Sequence, residues 1–286
     1  MGSEDVQTTT LPDGRRLAYQ GFGDPEGRPV FYFHGWPSSR LDASLFGDLA
    51  ASAGLRMIGV DRPGIGRSDF QPGRTLLHWP KDVDALADAL GLERFAVFGV
   101  SGGGPYVAAC AYAIAERLTS ATIVAGLAPM TRSETLRGMP LANRFMLQVG
   151  RPLPWLLRGM LSMMHRQISR PGTIERMFAT LPPVDRAAIE HLGTKRFAAV
   201  LEESYRQGTA GPTHEGRIYA SPWGFELEHI PMPVTIWQGE LDQNVPPSSG
   251  RIFAREIPNA KAHFVPGEGH VSLLVNHGEA ILASIT

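Results

Sequence analysis

The apolar residues of this chain are concentrated in short continuous runs. Such runs predict strands at residues 29–35, 56–61, 95–100 and 120–126. Further strands are predicted at 15–22, which reads as an extended segment, and at 233–240 and 261–266. Strands that are buried on both faces, as in a parallel sheet, have this continuous apolar character. The pattern therefore predicts a largely parallel sheet.

Segments with helical periodicity lie between the first predicted strands. Residues 40–54 and 76–91 carry apolar positions at helical spacing, and each segment ends on a glycine, where the backbone can turn left-handed. Residues 105–118 predict a further helix directly after the strand at 95–100. This alternation of strands and helices predicts an α/β fold with a doubly wound, mostly parallel sheet.

The alternation stops after Gly126. Helical segments punctuated by proline then follow, at residues 133–150, 154–169, 173–181, 184–193 and 195–208. The α/β rhythm returns at residue 233, and both flanks are needed to complete one sheet. We therefore predict a core made of residues 1–126 and 223–286, interrupted by a helical lid at 127–222.

Composition and charge exclude several classes of protein. The 286 residues are 43% hydrophobic, enough for a sizeable core, and the formal net charge of −1 gives no reason to expect nucleic acid as a partner. No segment is long and apolar enough to span a bilayer, so we predict a soluble, cytoplasmic protein without a membrane span. A single cysteine and the absence of an H-E-x-x-H motif predict neither a disulfide nor a metal site, and we expect no cofactor.

One serine stands in a setting that favours nucleophilic chemistry. Gly99-Val100-Ser101-Gly102-Gly103 fits the pattern G-x-S-x-G, with an apolar strand before it and a predicted helix after it. A serine on such a sharp turn has a strained backbone and close neighbours, so the flanking positions need glycine. Its hydroxyl would lie exposed at the carboxyl edge of the sheet.

A base and an acid are predicted at the same edge. A neutral hydroxyl needs a base as it attacks, and His270 lies on a glycine-rich turn after the last predicted strand. Asp242 follows the strand at 233–240 and would hold the imidazole in the right tautomer. Glu240 is the competing carboxylate.

Several segments together resemble the α/β-hydrolase family, in its serine hydrolase and esterase branch with a helical lid. The resemblance rests on Ser101 and on "FHGWP" at 33–37, "DRPGIGRSD" at 61–69, "QGELDQNVPP" at 238–247 and "PGEGHVSLL" at 266–274. These segments come in the family's order, with its spacing, and the nucleophile, acid and base follow as serine, aspartate and histidine.

The resemblance also implies how an oxyanion would be held. Two backbone N–H groups are needed, and they are predicted at Gly102, directly after the nucleophile, and at Trp36. His34 and Gly35 precede Trp36, and the resemblance implies that His34 braces this loop by hydrogen bonding. Family members often carry a bulky residue where this chain has Gly102.

The predicted lid is rich in methionine and aromatic residues, which suits an adaptable apolar pocket. The residues expected to line that pocket are Met130, Phe145, Trp155, Met163 and Met164.

The sequence therefore predicts a serine hydrolase that cleaves an ester or related acyl bond of a small to medium, apolar, small-molecule substrate. Cofactor-free perhydrolysis, with haloperoxidase-like activity, is an alternative because serine peroxidases of this fold share the triad. A non-catalytic ligand-binding protein of the same fold is another. The sequence indicates no oligomeric state.

Overall fold

Eight strands form one sheet in the computed structural model, which describes residues 5–168, 170 and 172–285. They are β1 Gln7–Thr10, β2 Arg16–Gly23, β3 Arg28–Phe33, β4 Leu55–Val60, β5 Phe95–Val100, β6 Leu118–Val124, β7 Thr235–Gly239 and β8 Lys261–Val265. Their order is β1-β2-β4-β3-β5-β6-β7-β8. Strands β3 to β8 pair in parallel, and β1 and β2 are antiparallel at one edge. The predicted α/β class, with a doubly wound and mostly parallel sheet, is confirmed.

The helices are distributed before, within and after a long interruption of the sheet. They are α1 Gly47–Ser52, α2 Trp79–Ala89, α3 Gly104–Ala113, α4 Leu141–Val149, α5 Pro154–Ile168, α6 Thr173–Ala179, α7 Pro183–Leu192, α8 Thr194–Ser204, α9 Ala210–Tyr219, α10 Pro247–Glu256 and α11 Ser272–Ala283. Within the described residues, no helix combines the length and the apolar character that a membrane crossing requires.

The core lies on both sides of the sheet. All six residues of the central strand β5 are buried, as its continuous apolar run predicts. One apolar layer includes Leu86 of α2 and Val107 of α3, and the layer on the other face includes Ala50 of α1 and Ile281 of α11. Helices therefore cover both faces, so the carboxyl ends of the parallel strands are left to form a site.

Helices α4 to α9 lie between β6 and β7, which are neighbours in the sheet. The chain therefore leaves the sheet at the carboxyl end of β6 and returns to pair beside it. These helices have a small apolar cluster of their own, which includes Leu157, Leu161 and Tyr205. We call residues 127–222 the lid.

Two elements are absent from the sequence expectations. Strand β1 reads QTTT and is mostly exposed, so it has no apolar run that would reveal it. Helix α9 contains Gly211, Pro212 and Gly216, which disfavour a helix by intrinsic propensity. Tertiary packing explains α9, since a side chain at Gly211 would overlap the backbone of Gly64.

Candidate active site

Ser101 lies on a strained turn at the carboxyl end of β5. Its φ of 56° is in the left-handed region, which is uncommon for a residue other than glycine. A Cβ on Gly99 would come within 2.7 Å of the Gly103 carbonyl oxygen and of Val107, and a Cβ on Gly103 would overlap the Phe33 carbonyl. Gly99 is therefore required by the close approach of β5 to the start of α3, and Gly103 by the close approach of this turn to the end of β3.

His270 and Asp242 form a hydrogen-bonded pair at the carboxyl ends of β7 and β8. The imidazole Nδ1 lies 2.7 Å from Asp242 Oδ2, and Asp242 is 3% exposed. The other carboxylate oxygen accepts hydrogen bonds from the backbone N–H groups of Asn244 at 2.8 Å and Val245 at 2.9 Å. Because a carboxylate only accepts, Nδ1 carries the proton, and Nε2 is left as the acceptor.

The charge around His270 changes its acidity. Burial lowers the pKa of the imidazole, but the charge and hydrogen bond of Asp242, together with the charges of Asp185 and Asp42, more than offset this effect. The net pKa of His270 is therefore raised above its ordinary value.

Glu240, the competing carboxylate, lies elsewhere. It is exposed, and one of its oxygens pairs with Arg251 at 3.7 Å. The carboxylate that contacts His270 is that of Asp242.

Trp36 and Gly102 lie against each other beside Ser101. A Cβ on Gly102 would come within 3.2 Å of the Trp36 backbone nitrogen, and a Cβ on Gly35 would lie 3.6 Å from Ser101 Cβ. The loop after β3 therefore meets the turn after β5, where the sequence predicts an oxyanion site.

The directions of these two N–H groups are fixed by hydrogen bonds to the carbonyl oxygens of the same peptides. In a planar trans peptide the N–H and the preceding carbonyl point in opposite directions. The carbonyl before Gly102 belongs to Ser101 and accepts the Leu127 N–H at 3.1 Å. The carbonyl before Trp36 belongs to Gly35 and accepts Arg62 Nη2 at 2.9 Å. Holding each carbonyl also holds the N–H on the other side of the same peptide.

His34 is completely buried next to this loop. Burial and then the charge of Arg62 lower its pKa well below the ordinary value, so the ring is neutral. Its Nδ1 lies 2.9 Å from the Gly35 carbonyl oxygen, which is the contact that the predicted bracing role requires.

Sequence reasoning missed the groups that hold Arg62. Its guanidinium donates to the His34 carbonyl at 2.6 Å and forms a bidentate pair with Glu215 of α9, at 2.7 and 2.6 Å. Glu215 also accepts from Arg74 at 2.7 Å and from Tyr106 at 2.8 Å. Burial raises the pKa of Glu215, but the charges of Arg62 and Arg74 and the hydrogen bonds from Arg62 together outweigh that effect, and the net pKa lies well below its usual range. Arg62 stands in the quoted segment 61–69, whereas no local signal marks Glu215.

Tyr219, also on α9, occupies the space that a side chain at position 102 would need. Its hydroxyl donates to the Gly102 carbonyl at 3.0 Å. A Cβ on Gly102 would lie 2.8 Å from that hydroxyl. The glycine after Ser101 therefore leaves no gap, because the lid fills it.

Two chambers meet at Ser101 and His270. The small chamber has a volume of about 210 Å³, and its lining includes Leu127, Met139, Met146, Leu147, Tyr219 and Val245. The large chamber has a volume of about 500 Å³ and an apolar lining that includes Leu45, Leu49, Met177, Phe178, Phe197 and Leu201. Trp36 and Asn244 border both.

The five pocket residues predicted from the sequence line neither chamber, and this is a correction. Phe145, Trp155 and Met163 are 51%, 70% and 59% exposed. Met130 packs against the main core, and Met164 packs inside the lid. Apolar content at helical spacing does not reveal which face of a helix meets a cavity, and the methionines at the chambers are Met139, Met146 and Met177.

Comparisons with known proteins agree with this architecture. A family model described as alpha/beta hydrolase fold matches residues 28–277. The chain is 39% identical over 139 residues to a non-heme chloroperoxidase of Streptomyces lividans, covering 47% of this chain and 50% of that protein. It is 26% identical over 274 residues to a bifunctional esterase/perhydrolase of Acinetobacter calcoaceticus, covering 91% of each.

A solved structure has the same fold. An esterase from Exiguobacterium antarcticum superimposes with a TM-score of 0.71, at 18% identity and over 97% of each chain. Since the family model matches most of the sequence, this protein belongs to the α/β-hydrolase fold family.

Proposed function

We propose that the protein is a serine hydrolase that cleaves an ester or related acyl bond through Ser101, His270 and Asp242. The observation that carries the proposal is the 2.7 Å contact between His270 Nδ1 and Asp242, at a cavity that His270 shares with Ser101. This arrangement leaves His270 Nε2 free to accept a proton beside a serine on a strained turn.

In the proposed acylation, Ser101 Oγ attacks the acyl carbon while its proton passes to His270 Nε2. The N–H groups of Trp36 and Gly102 stabilise the oxyanion, a contribution of about 3 kcal/mol for one such donor. The tetrahedral intermediate then collapses, and His270 returns the proton to the departing alcohol. Asp242 stabilises the imidazolium throughout.

Deacylation repeats these steps with water. His270 takes a proton from a water molecule as that water attacks the acyl-enzyme, and the acid leaves as Ser101 regains its proton. No further group is needed to balance the reaction.

The volumes and linings of the two chambers support the proposal of an apolar substrate of small to medium size. Only the large chamber, at about 500 Å³, is within the usual range of ligand pockets, and its lining is mostly apolar. We propose that the two sides of the scissile bond occupy different chambers, because both chambers border Ser101.

Labelling with a fluorophosphonate tests the nucleophile. Wild-type protein should be modified at Ser101, and Ser101→Ala should not be. Turnover of p-nitrophenyl esters of graded chain length then measures the length of acyl chain that the chambers accept. If folded protein shows no labelling and no turnover, the proposal is contradicted, and the non-catalytic ligand-binding alternative is favoured.

Perhydrolysis is a second candidate. It is favoured by the similarity over 91% of the chain to a protein named as a bifunctional esterase/perhydrolase. In that reaction hydrogen peroxide replaces water in deacylation, so the same acyl-enzyme gives a peracid. Peracid formation from an ester and peroxide, lost in Ser101→Ala, would assign this activity to the same site.

A further inference from the structure

A carboxylate from the lid is buried against the turn that carries His270. Asp185 of α7 is 1% exposed. Its oxygens accept hydrogen bonds from three consecutive backbone N–H groups, those of His270 at 3.1 Å, Val271 at 2.8 Å and Ser272 at 2.9 Å. The two segments are 85 to 87 residues apart in the sequence.

The turn is shaped to receive this carboxylate. The first N–H groups of a helix have no partner within the helix and carry partial positive charge, and α11 begins at Ser272. A Cβ on Gly269 would overlap the carboxylate of Asp185, so the glycine leaves room for it. The Gly269 N–H donates to Ser272 Oγ at 2.8 Å, which closes the turn from the other side.

Three carboxylates from different elements raise the pKa of the His270 ring through their negative charge. Asp242 follows β7 and contacts Nδ1, Asp185 comes from the lid, and Asp42 lies in a short helical turn after β3. Burial lowers the pKa of His270, and the charges of Asp242, Asp185 and Asp42 all raise it. Asp185 is the one of the three that belongs to the lid.

We propose that Asp185 is a positioning residue for His270: it fixes the backbone of the His270 turn and adds negative charge beside the imidazole, so that the base is aligned only while the lid is docked. The role rests on the proposed function, in which His270 is the base. It makes a lid helix part of the catalytic arrangement without contact between Asp185 and the substrate.

Two measurements on the resting protein test this role without turnover. The first is titration of the His270 ring by NMR. Asp185→Asn keeps the shape of the side chain but removes its charge, so the His270 pKa should fall by about half a unit to one unit. The second is hydrogen exchange at the amides of residues 270–272, which should become faster. Glu190→Gln, an exposed change on the same helix, is the matched control and should leave both unchanged.

Activity gives a third measurement. Asp185→Asn should lower kcat for p-nitrophenyl butyrate by about 10-fold or more, with a smaller effect on KM, because the base is misplaced rather than the substrate. If esters are not hydrolysed at all but the His270 titration shifts, the proposed function fails, although the effect of Asp185 on the His270 ring is confirmed.

A second variant reaches the same contact from the other side. Gly269→Ala should push the Asp185 carboxylate away and shift the His270 titration in the same direction. In unmodified protein under mild denaturant, the amides of 270–272 and of α7 should open together. Unchanged titration and exchange in folded variants, or independent opening of the two segments in the unmodified protein, would overturn the proposal.

Discussion

Arg62 of the core and Glu215 of the lid form a bidentate ion pair in which neither side chain is exposed. Arg62 also holds the carbonyl of Gly35, and the peptide of that carbonyl carries the Trp36 N–H. One guanidinium therefore connects the lid to the loop at which we propose that the oxyanion binds.

Glu215→Gln should destabilise the fold. It leaves the charges of Arg62 and Arg74 buried without their carboxylate, which we expect to lower the free energy of unfolding by about 3 kcal/mol or more. Urea denaturation at neutral pH measures the change, and Glu190→Gln on the lid surface is the control. A loss below 1 kcal/mol would show that the network adapts.

The pH dependence of this contribution has a definite sign. The pKa of Glu215 is depressed in the folded protein. The stabilisation is therefore fully present above the unfolded pKa of about 4.3, and it is lost as the pH falls through the folded value. Wild-type stability should decline more steeply than that of Glu215→Gln in this acid range, and parallel curves would contradict this prediction.

Ser101→Ala and His270→Ala should each lower kcat for ester hydrolysis by about 10⁴-fold or more, because members of a triad act as a unit. Steady-state rates with p-nitrophenyl butyrate measure the loss, and circular dichroism checks the fold. Ester turnover at the wild-type rate by Ser101→Ala would rule out the proposed nucleophile.

The rate should rise with pH as His270 becomes neutral. Because its pKa is raised, the midpoint of kcat/KM should lie above about 6.5. Asp242→Asn should lower kcat by about 10⁴-fold and move the midpoint downwards, since the charge that raises the pKa is gone. A rate that does not change between pH 5 and pH 9, with chemistry limiting, would speak against a histidine base.

The large chamber should determine chain-length preference. Phe197 lines it and packs edge-on against Phe178, with ring centroids 5.2 Å apart. Phe197→Ala should lower kcat/KM for long-chain esters, which corresponds to a rise of about 1 to 3 kcal/mol in the activation free energy. The rise should be smaller for acetate esters, because only long chains bury this surface. Esters extended on the acyl side and on the alcohol side identify which group uses the chamber.

Phe145→Ala is the control for this experiment, since Phe145 is half exposed and lines neither chamber. If both substitutions had the same effect on the preference for long chains, the large chamber would not be the binding site.

The sheet could be predicted from the sequence because its signals are local. A parallel strand buried on both faces needs a continuous apolar run, as in β5. The turn at Ser101 needs glycine on both sides, so this turn also has a local sequence pattern.

The contacts of the lid could not be predicted, because they depend on distant partners. Asp185 and Glu215 are isolated carboxylates in the sequence, and their role comes from residues far along the chain. Helix α9 was hidden by glycines that disfavour a helix but permit close packing, since a Cβ on Gly216 would lie 2.6 Å from Leu157. Long-range packing here prevails over local propensity.

Tyr219, which belongs to the lid, forms part of the wall of the small chamber. In this protein the space beside the residue after Ser101 is occupied by a tyrosine hydroxyl that comes 117 residues later in the chain. A chimera that kept this core but received a lid without this tyrosine would therefore keep Gly102 and lose the group that fills the space beside it. Its small chamber would be enlarged next to Ser101, although no residue of the core had been altered.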